Sequence, residues 1–167
     1  METIAVYWEP KIKTYGFNKI TNLTLMGFAL TPKQTAPMGF RLQELAEPKV
    51  RIFLVLGQYL DDRKLSLYLL IEQKWEERMI SHLRHLIGGD PGESIHIISP
   101  AGLIYFHGPH FGDRYGIADS AFGVLARNGV PILASACSAS SIYLVLHEER
   151  LEDAKKFLTE AFKLPPS

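Results

Sequence analysis

The sequence contains little cysteine and no excess of either charge. Among 167 residues there is one cysteine, Cys137, so a disulfide within the chain is impossible. This count fits a protein of a reducing compartment. The 18 lysines and arginines are balanced by 18 aspartates and glutamates. Because no net positive charge is present to attract phosphate backbones, we expect no nucleic-acid partner.

Long hydrophobic runs are also missing. The longest apolar run, residues 65–71, is interrupted by Ser66 and is far shorter than the roughly 20 residues of a membrane span. The N-terminus carries Glu2 and has no apolar stretch typical of a signal peptide. We therefore predict a cytoplasmic protein without a membrane partner.

Hydrophobic periodicity predicts an alternation of strands and helices. In the first part of the chain we predict extended segments at residues 4–8, 12–17 and 23–30, followed by a proline-rich turn at 32–37 and a short helix at 38–46. A strand hairpin at 50–60 and 65–71, an amphipathic helix at 74–87 and a further strand at 95–99 follow. The order then repeats with a strand at residues 103–106 and a helix at 116–127, which Asn128-Gly129 ends. Two strands at 130–136 and 142–147 and a last helix at 154–162 follow.

This repeated order predicts an α+β fold of two ferredoxin-like βαββαβ units, each an antiparallel sheet with helices on one face. Gly39 and Gly116 are predicted to open the first helix of each unit. The second unit lacks a fourth strand after Leu164, whereas the N-terminal residues belong to no unit. Since sheets avoid unpaired edges, we predict that residues 1–17 complete the unit of residues 102–167, and that residues 18–101 form a unit inserted between them.

The second unit resembles the ACT domain. The resemblance is carried by DRYGIA at residues 113–118 and AFGVLARNGVPI at residues 121–132, in the ACT order of a turn glycine, a helix, an Asn/Gly turn and a hairpin. The chain as a whole resembles the paired ACT domains of the aspartokinase regulatory region, where one unit interrupts the other. The two units use up all 167 residues, so no kinase domain is expected. The resemblance implies regulation without catalysis.

The resemblance also implies a binding site for a free amino acid or a related small molecule. In ACT domains such a ligand sits where the turn glycine opens the helix, and helix N–H groups attract its carboxylate. The predicted ligand-binding residues are Gly116, Ile117, Ala118, Asp113, Ser135, Ser138, Gly39 and Phe40. The alternative is that the glycines serve turn geometry alone and that the serines bond within their own turn. We expect no cofactor.

Histidines and Cys137 suggest further chemistry that is less well supported. His107 and His110, with Asp113, could chelate a metal, but three or four convergent ligands are needed and the local sequence does not supply them. Cys137 has no sequence signature of an activating partner, so we interpret it as a small packing residue. We predict neither a metal site nor a catalytic residue.

Three functions are compatible with these observations. The first is an amino-acid-sensing regulatory module that forms a homodimer or acts on a partner enzyme. The second is an assembly module of the same fold that binds no ligand. The third is an enzyme that uses His107, His110 and Cys137, which the fold alone does not exclude.

Overall fold

The computed structural model describes residues 11–44, 49–61, 64–87 and 95–165. The chain divides into two compact units, Asn22–Ala101 and a second one made of Met1–Thr21 with Gly102–Ser167. We call them the middle unit and the split unit. The predicted strand over residues 4–8 lies outside the described residues. Within the described part of the chain, no helix has the length and apolar character needed to cross a membrane.

The described part of the middle unit contains four strands and two helices. Its elements are β1 (Phe17–Leu30, from Asn22 onward), α1 (Pro32–Glu44), β2 (Ile52–Asp61), β3 (Lys64–Glu72), α2 (Glu76–Ile87) and the start of β4 (Ile95–His107). The strand order is β2-β3-β1-β4. Both β1 and β2 run antiparallel to β3. This is the ferredoxin-like order.

The start of α1 differs from the prediction. Residues 32–37 were expected to form a turn, with Gly39 opening the helix, but α1 begins at Pro32 and Gly39 lies inside it. The backbone N–H of Thr31 donates to Gln34 Oε1 at 2.8 Å, which is the reciprocal half of a capping box. Proline suits the first helical position because its missing N–H would have no partner there. The local signal for this helix start was therefore present in the sequence.

Alternating residues of the strands build the core of the middle unit. Met26, Phe28 and Leu30 of β1 lie in one buried cluster with Leu69 and Ile71 of β3. Each set is spaced by two, as expected for one face of a strand. The helices contribute Met38, Met79 and Leu83 to the same cluster. The helices therefore cover one face of this sheet.

The split unit repeats the order with its own elements. They are β4 (here from Gly102), α3 (Ile117–Arg127), β5 (Ala134–Cys137), β6 (Ser141–His147) and α4 (Leu151–Ala161). The strand order is β1-β4-β6-β5, to which β1 contributes residues 17–21. Strands β5 and β6 are antiparallel. The predicted fold class, antiparallel α+β of ferredoxin-like type, is confirmed.

Two strand boundaries differ from the predicted ones. Residues 95–99 and 103–106 were expected to form separate strands, but β4 is continuous from Ile95 to His107. Strand β4 lies between β1 and β6, and pairing on both sides outweighs the local preference of Pro100 and Gly102 against strands. Strand β5 covers Ala134–Cys137, which is shorter than the predicted 130–136.

Backbone hydrogen bonds attach the N-terminal segment to the split unit. The N–H of Tyr15 donates to the carbonyl of His107 at 2.9 Å, and the N–H of Thr14 donates to the carbonyl of Lys163 at 2.9 Å. The N–H of Lys163 in turn donates to Ile12, also at 2.9 Å. The segment thus has a neighbour on each side, one at the end of β4 and one just after α4.

An aromatic cluster supports the same attachment. The ring of Phe106 lies 4.9 Å from Phe17, 5.1 Å from Phe162 and 5.9 Å from Phe111, between centroids. Phe106 and Phe162 are almost fully buried. Each such pair contributes about 0.5–1.5 kcal/mol beyond the burial of its area. The cluster therefore joins the N-terminal segment, β4, the loop after β4 and the chain after α4.

Candidate functional site

The site is built around the turn that opens α3. Gly116 is the residue before the helix, and its φ of 82° lies in the left-handed region, which glycine adopts at little cost. Its carbonyl accepts hydrogen bonds from the N–H of Ser120 at 3.0 Å and from the Ser120 hydroxyl at 2.8 Å. Gly116 has no side chain with which to cap this end of the helix. The first N–H groups of α3 consequently have no acceptor within the helix.

A cleft lies against this turn. Its volume is about 260 Å³, which suits a ligand smaller than the drug-sized molecules that occupy pockets of about 300–1,000 Å³. The walls come from the loop after β4, the first turn of α3 and the β5–β6 hairpin. The lining residues are Phe111, Arg114, Tyr115, Gly116, Ile117, Ala118, Cys137, Ser138 and Ile142.

The cleft favours a negatively charged group. The N-terminal end of α3 carries the partial positive charge of the helix dipole, and the half-buried, basic Arg114 also lines the wall. Apolar surface from Phe111 and Ile142 lies beside these groups. The arrangement can hold a small molecule that has a carboxylate and an apolar part.

Four of the predicted residues line this cleft together: Gly116, Ile117, Ala118 and Ser138. The Ser138 hydroxyl accepts hydrogen bonds from the N–H groups of Ser140 at 3.4 Å and Ser141 at 3.1 Å. These bonds match the alternative stated from the sequence, in which the serines form hydrogen bonds within their own turn. Ser138 therefore shapes the wall of the cleft while its oxygen is engaged in the hairpin.

The other predicted residues lie elsewhere. Ser135 lines a separate groove with residues of α3 and the 129–134 segment. Asp113 faces His110, with its Oδ2 3.3 Å from the imidazole Nδ1. Gly39 and the exposed Phe40 belong to α1 of the middle unit. The turn geometry that motivated their selection is not found at Gly39.

Cys137 does not pack in the core as predicted. It is an exposed free cysteine at the end of β5, and it lines the cleft. Partial burial of its sulfur raises the pKa of the thiol. Since the thiolate is the reactive form, this environment makes Cys137 a poor nucleophile.

The residues of the enzyme hypothesis are not brought together. The ring of His107 packs against Tyr15, with 5.3 Å between centroids, and His110 pairs with Asp113. Neither histidine lines the cleft that contains Cys137. Across the described ranges, no group of three or more His, Cys, Asp or Glu side chains is placed to hold a metal ion.

Comparison with known proteins identifies the region that carries this cleft. The family model of the ACT domain matches residues 101–160. These residues contain β4 from Ala101 onward, α3, β5, β6 and nearly all of α4. All residues of the cleft fall within the ACT match. No curated protein matches the sequence.

Solved structures extend the likeness to both units. The ligand-free regulatory subunit of aspartate kinase from Thermus thermophilus is 15% identical, with a TM-score of 0.73 over 90% of this chain and 99% of that one. Aspartate kinase from Synechocystis is 18% identical, with a TM-score of 0.77 over 95% of this chain and 29% of that one. Aspartokinase III of E. coli in complex with lysine and aspartate is 14% identical, with a TM-score of 0.59 over 94% and 35%. At these identities the likeness establishes the fold, and the predicted resemblance to the aspartokinase regulatory region is confirmed at that level.

Five residues that line this cleft were not among the predicted ligand-binding residues: Phe111, Arg114, Tyr115, Cys137 and Ile142. Arg114 lies two positions before Gly116, so a basic residue next to a predicted anion-binding turn was the available signal. Phe111 is buried against Phe106 in an edge-to-face contact. An aromatic residue in a glycine-containing loop gave no indication of this packing.

Proposed function

We propose that the chain is a regulatory module that binds a free amino acid in the cleft at the start of α3. The α-carboxylate of the ligand accepts hydrogen bonds from the N–H groups of Ile117 and Ala118. Arg114 adds a charge-assisted contact. The apolar wall receives the ligand side chain. In this proposal the effect of binding passes to a partner enzyme or to a second copy of the chain.

The observation that carries the proposal is the left-handed Gly116 at the mouth of the cleft. Because glycine has no side chain, the residue that precedes α3 does not itself cap the first turn of the helix. The ACT match over the same residues supports a ligand-binding regulatory role. The likeness to a regulatory subunit and to an enzyme bound to lysine and aspartate supports amino acids as the ligand class.

The domain organisation belongs to the same proposal. We assign both compact units to the ACT type, with residues 22–101 inserted into the split unit. The hydrogen bonds of residues 12–15 to His107 and Lys163 support the N-terminal segment as the final strand of the split unit.

A thermal-shift screen of the twenty amino acids tests the proposal. A ligand at 100 times its dissociation constant stabilises the folded protein by about 2.7 kcal/mol. For a chain of this length that corresponds to a midpoint shift of roughly 5–10 °C. A response to one amino acid or to a related few is expected. A flat response to all twenty contradicts the proposal.

A matched pair of glycine substitutions locates the site. Gly116 and Gly129 both have a positive φ, 82° and 64°, and a Cβ built on either meets no atom within 4 Å. Alanine at either position therefore costs about 1–2 kcal/mol of backbone strain without a clash. We expect Gly116→Ala to abolish the amino-acid response, whereas Gly129→Ala, outside the cleft, keeps it. Equal responses from the two variants would place the site elsewhere.

A second candidate function is supported by a different surface. Strand β5 is at the edge of the split unit, next to an open, largely apolar groove of about 800 Å³ lined by residues including Phe122, Ala126, Val130, Ile132 and Ser135. Unpaired edges invite pairing with another chain. We therefore propose a homodimer that uses this edge.

A charge on the wall of this groove tests the dimer. Ala126 is exposed on α3 and lines the groove, so Ala126→Lys adds a buried charge to an interface without touching the core. We expect the parent to sediment as a dimer and the Ala126→Lys variant to sediment as a monomer. A parent that sediments as a monomer at tens of micromolar argues against the dimer but not against amino-acid binding.

A further inference from the structure

Tyr115 is the most exposed large hydrophobic side chain in the part of the chain that the structure describes. It is 96% exposed, although it lines the cleft at the start of α3. Other exposed aromatic side chains, such as Tyr15 at 61% and Phe40 at 70%, keep part of their surface covered. The ring of Tyr115 can therefore cover a molecule that binds in the cleft without first giving up packing in the protein.

The backbone on both sides of Tyr115 is held in place. Before it, the N–H of Arg114 donates to the carbonyl of His110 at 2.9 Å. After it, the carbonyl of Gly116 accepts hydrogen bonds from Ser120 of α3. A Cβ built on Gly116 meets no atom within 4 Å, so the space beside this turn is open. Because a tyrosine side chain has only two torsions to fix, holding its ring over the cleft costs little conformational entropy.

A bound amino acid brings an ammonium group into the cleft together with its carboxylate. With the carboxylate at the first N–H groups of α3, the ammonium lies on the adjacent carbon atom. It also needs a partner, because a charge removed from water without one is costly. Among the described residues that line the cleft, none is acidic. Asp113 and Asp119 are close in sequence but do not belong to this lining.

Two oxygen atoms of the lining are engaged within the protein. The Ser138 hydroxyl accepts from the N–H of Ser141 at 3.1 Å and donates to the carbonyl of the same residue at 3.4 Å. The carbonyl of Gly116 accepts from both the N–H and the hydroxyl of Ser120. The face of an aromatic ring also attracts a cation, when the cation lies within about 6 Å of the ring centre. Tyr115 supplies such a ring at the cleft.

We propose that Tyr115 recognises the ammonium group of the amino acid bound in the cleft by placing the face of its ring over it. The same position covers the apolar side of the ligand, which lies against Phe111 and Ile142. Tyr115 is then the residue that distinguishes an amino acid from a carboxylic acid of the same skeleton. This inference rests on the function proposed above and adds to it the recognition of the group that the helix N-terminus does not bind.

Calorimetric titration with a matched pair of ligands tests this role. The pair consists of the amino acid with the largest thermal shift among the twenty and the carboxylic acid that lacks only its amino group, as isovalerate does for valine. We expect the parent to bind the amino acid about tenfold more tightly. Tyr115→Phe keeps the ring and should preserve this preference. Tyr115→Leu keeps an apolar side chain without a ring and should lower it to about twofold or less.

Tyr59→Leu is the matched control. Tyr59 is 57% exposed on β2 of the middle unit and does not line the cleft. The variant should therefore bind both molecules as the parent does. Circular dichroism of each variant checks the fold, which substitutions of exposed side chains rarely disturb.

The outcomes separate failure of this role from failure of amino-acid binding. If the parent binds none of the twenty amino acids, the proposed function is wrong and Tyr115 has no ammonium to recognise. If the parent binds an amino acid and Tyr115→Leu keeps the parent's preference to within about twofold, amino-acid binding stands and the role of Tyr115 is refuted. Loss of the preference in Tyr115→Phe as well would assign it to the phenolic hydroxyl and overturn the contact with the ring face. An equal loss in Tyr59→Leu would show that the effect does not arise in the cleft.

Discussion

The contact between Gly102 and Leu151 allows a quantitative prediction about the split unit. Gly102 lies in β4, and Leu151, 1% exposed, is the first residue of α4. A Cβ at residue 102 would lie 2.3 Å from Leu151 Cδ1 and 2.9 Å from its Cγ. Because the leucine side chain is enclosed in the core, it cannot move into solvent to relieve the overlap. A single added methyl group therefore forces β4 and α4 apart.

The magnitudes follow from the two kinds of packing defect. Gly102→Ala should lower the free energy of unfolding by about 1–3 kcal/mol, the usual cost of an overpacked core. Leu151→Ala should lower it by about 2–5 kcal/mol through the cavity it leaves. In the double variant the new methyl group occupies part of that cavity. The combined loss should therefore be smaller than the sum by at least about 1 kcal/mol.

Urea unfolding of the parent, the two single variants and the double variant, followed by circular dichroism, measures how far the two losses of stability depart from additivity. Gly123→Ala is the matched control, since a Cβ there meets only Arg127 Nη1, at 3.1 Å, at the end of an exposed side chain that can move. Gly123 lies inside α3, so alanine should stabilise by about 0.5–1 kcal/mol. Losses at residues 102 and 151 that add to within about 0.3 kcal/mol would refute the packing argument. So would a Gly123→Ala variant destabilised as much as Gly102→Ala.

Three further predictions concern single groups. Thr31→Ala should lower the free energy of unfolding in urea by about 0.5–1.5 kcal/mol, since it removes the hydrogen bond that the hydroxyl donates to Gln34 Oε1 at 2.8 Å; no measurable change would show that this bond does not stabilise the start of α1. Burial raises the pKa of the Cys137 thiol, so its thiolate fraction at pH 8 is below that of a solvated thiol. Its reaction with a disulfide reagent should be slower than that of a small-molecule thiol at pH 8 and should accelerate as the pH rises; faster reaction at pH 8 would contradict the assigned environment. The hydrogen bond from Lys74 holds the pKa of the Glu72 carboxyl below its usual value, so Lys74→Met should move the carboxyl titration, followed by NMR, to higher pH; an unmoved titration would show that Lys74 does not set it.

Much of the fold was predictable from local pattern. The 3.6-residue periodicity placed α2 and α4 within a few residues of their observed bounds, because an amphipathic helix must bury one face whatever it packs against. Asn128-Gly129 was predicted to end α3, and Asn128 is its C-cap, followed by Gly129 with a φ of 64°. The left-handed turn at Gly116 was predictable for the same reason, since few other residues adopt that conformation.

The prediction for the start of α1 was wrong although the signal was local. Two prolines predicted a turn over residues 32–37, but the same stretch begins with the pattern Thr31-Pro32-Lys33-Gln34. That pattern is a helix start, in which proline occupies a position that needs no N–H donor. The predicted equivalence of Gly39 with Gly116 depended on that error.

The sequence by itself determined the order of elements, the fold class and the glycine turn at Gly116, because each depends on residues within one or two turns of chain. The tertiary structure decided which residues meet. Strand β4 is continuous through Pro100 because neighbouring strands supply its pairing. Ser138, Arg114 and Cys137 line one cleft, whereas Ser135 lines another. Such contacts depend on strand register and on how loops pack over distant elements, and a shift of one residue moves every side chain of a strand to the other face.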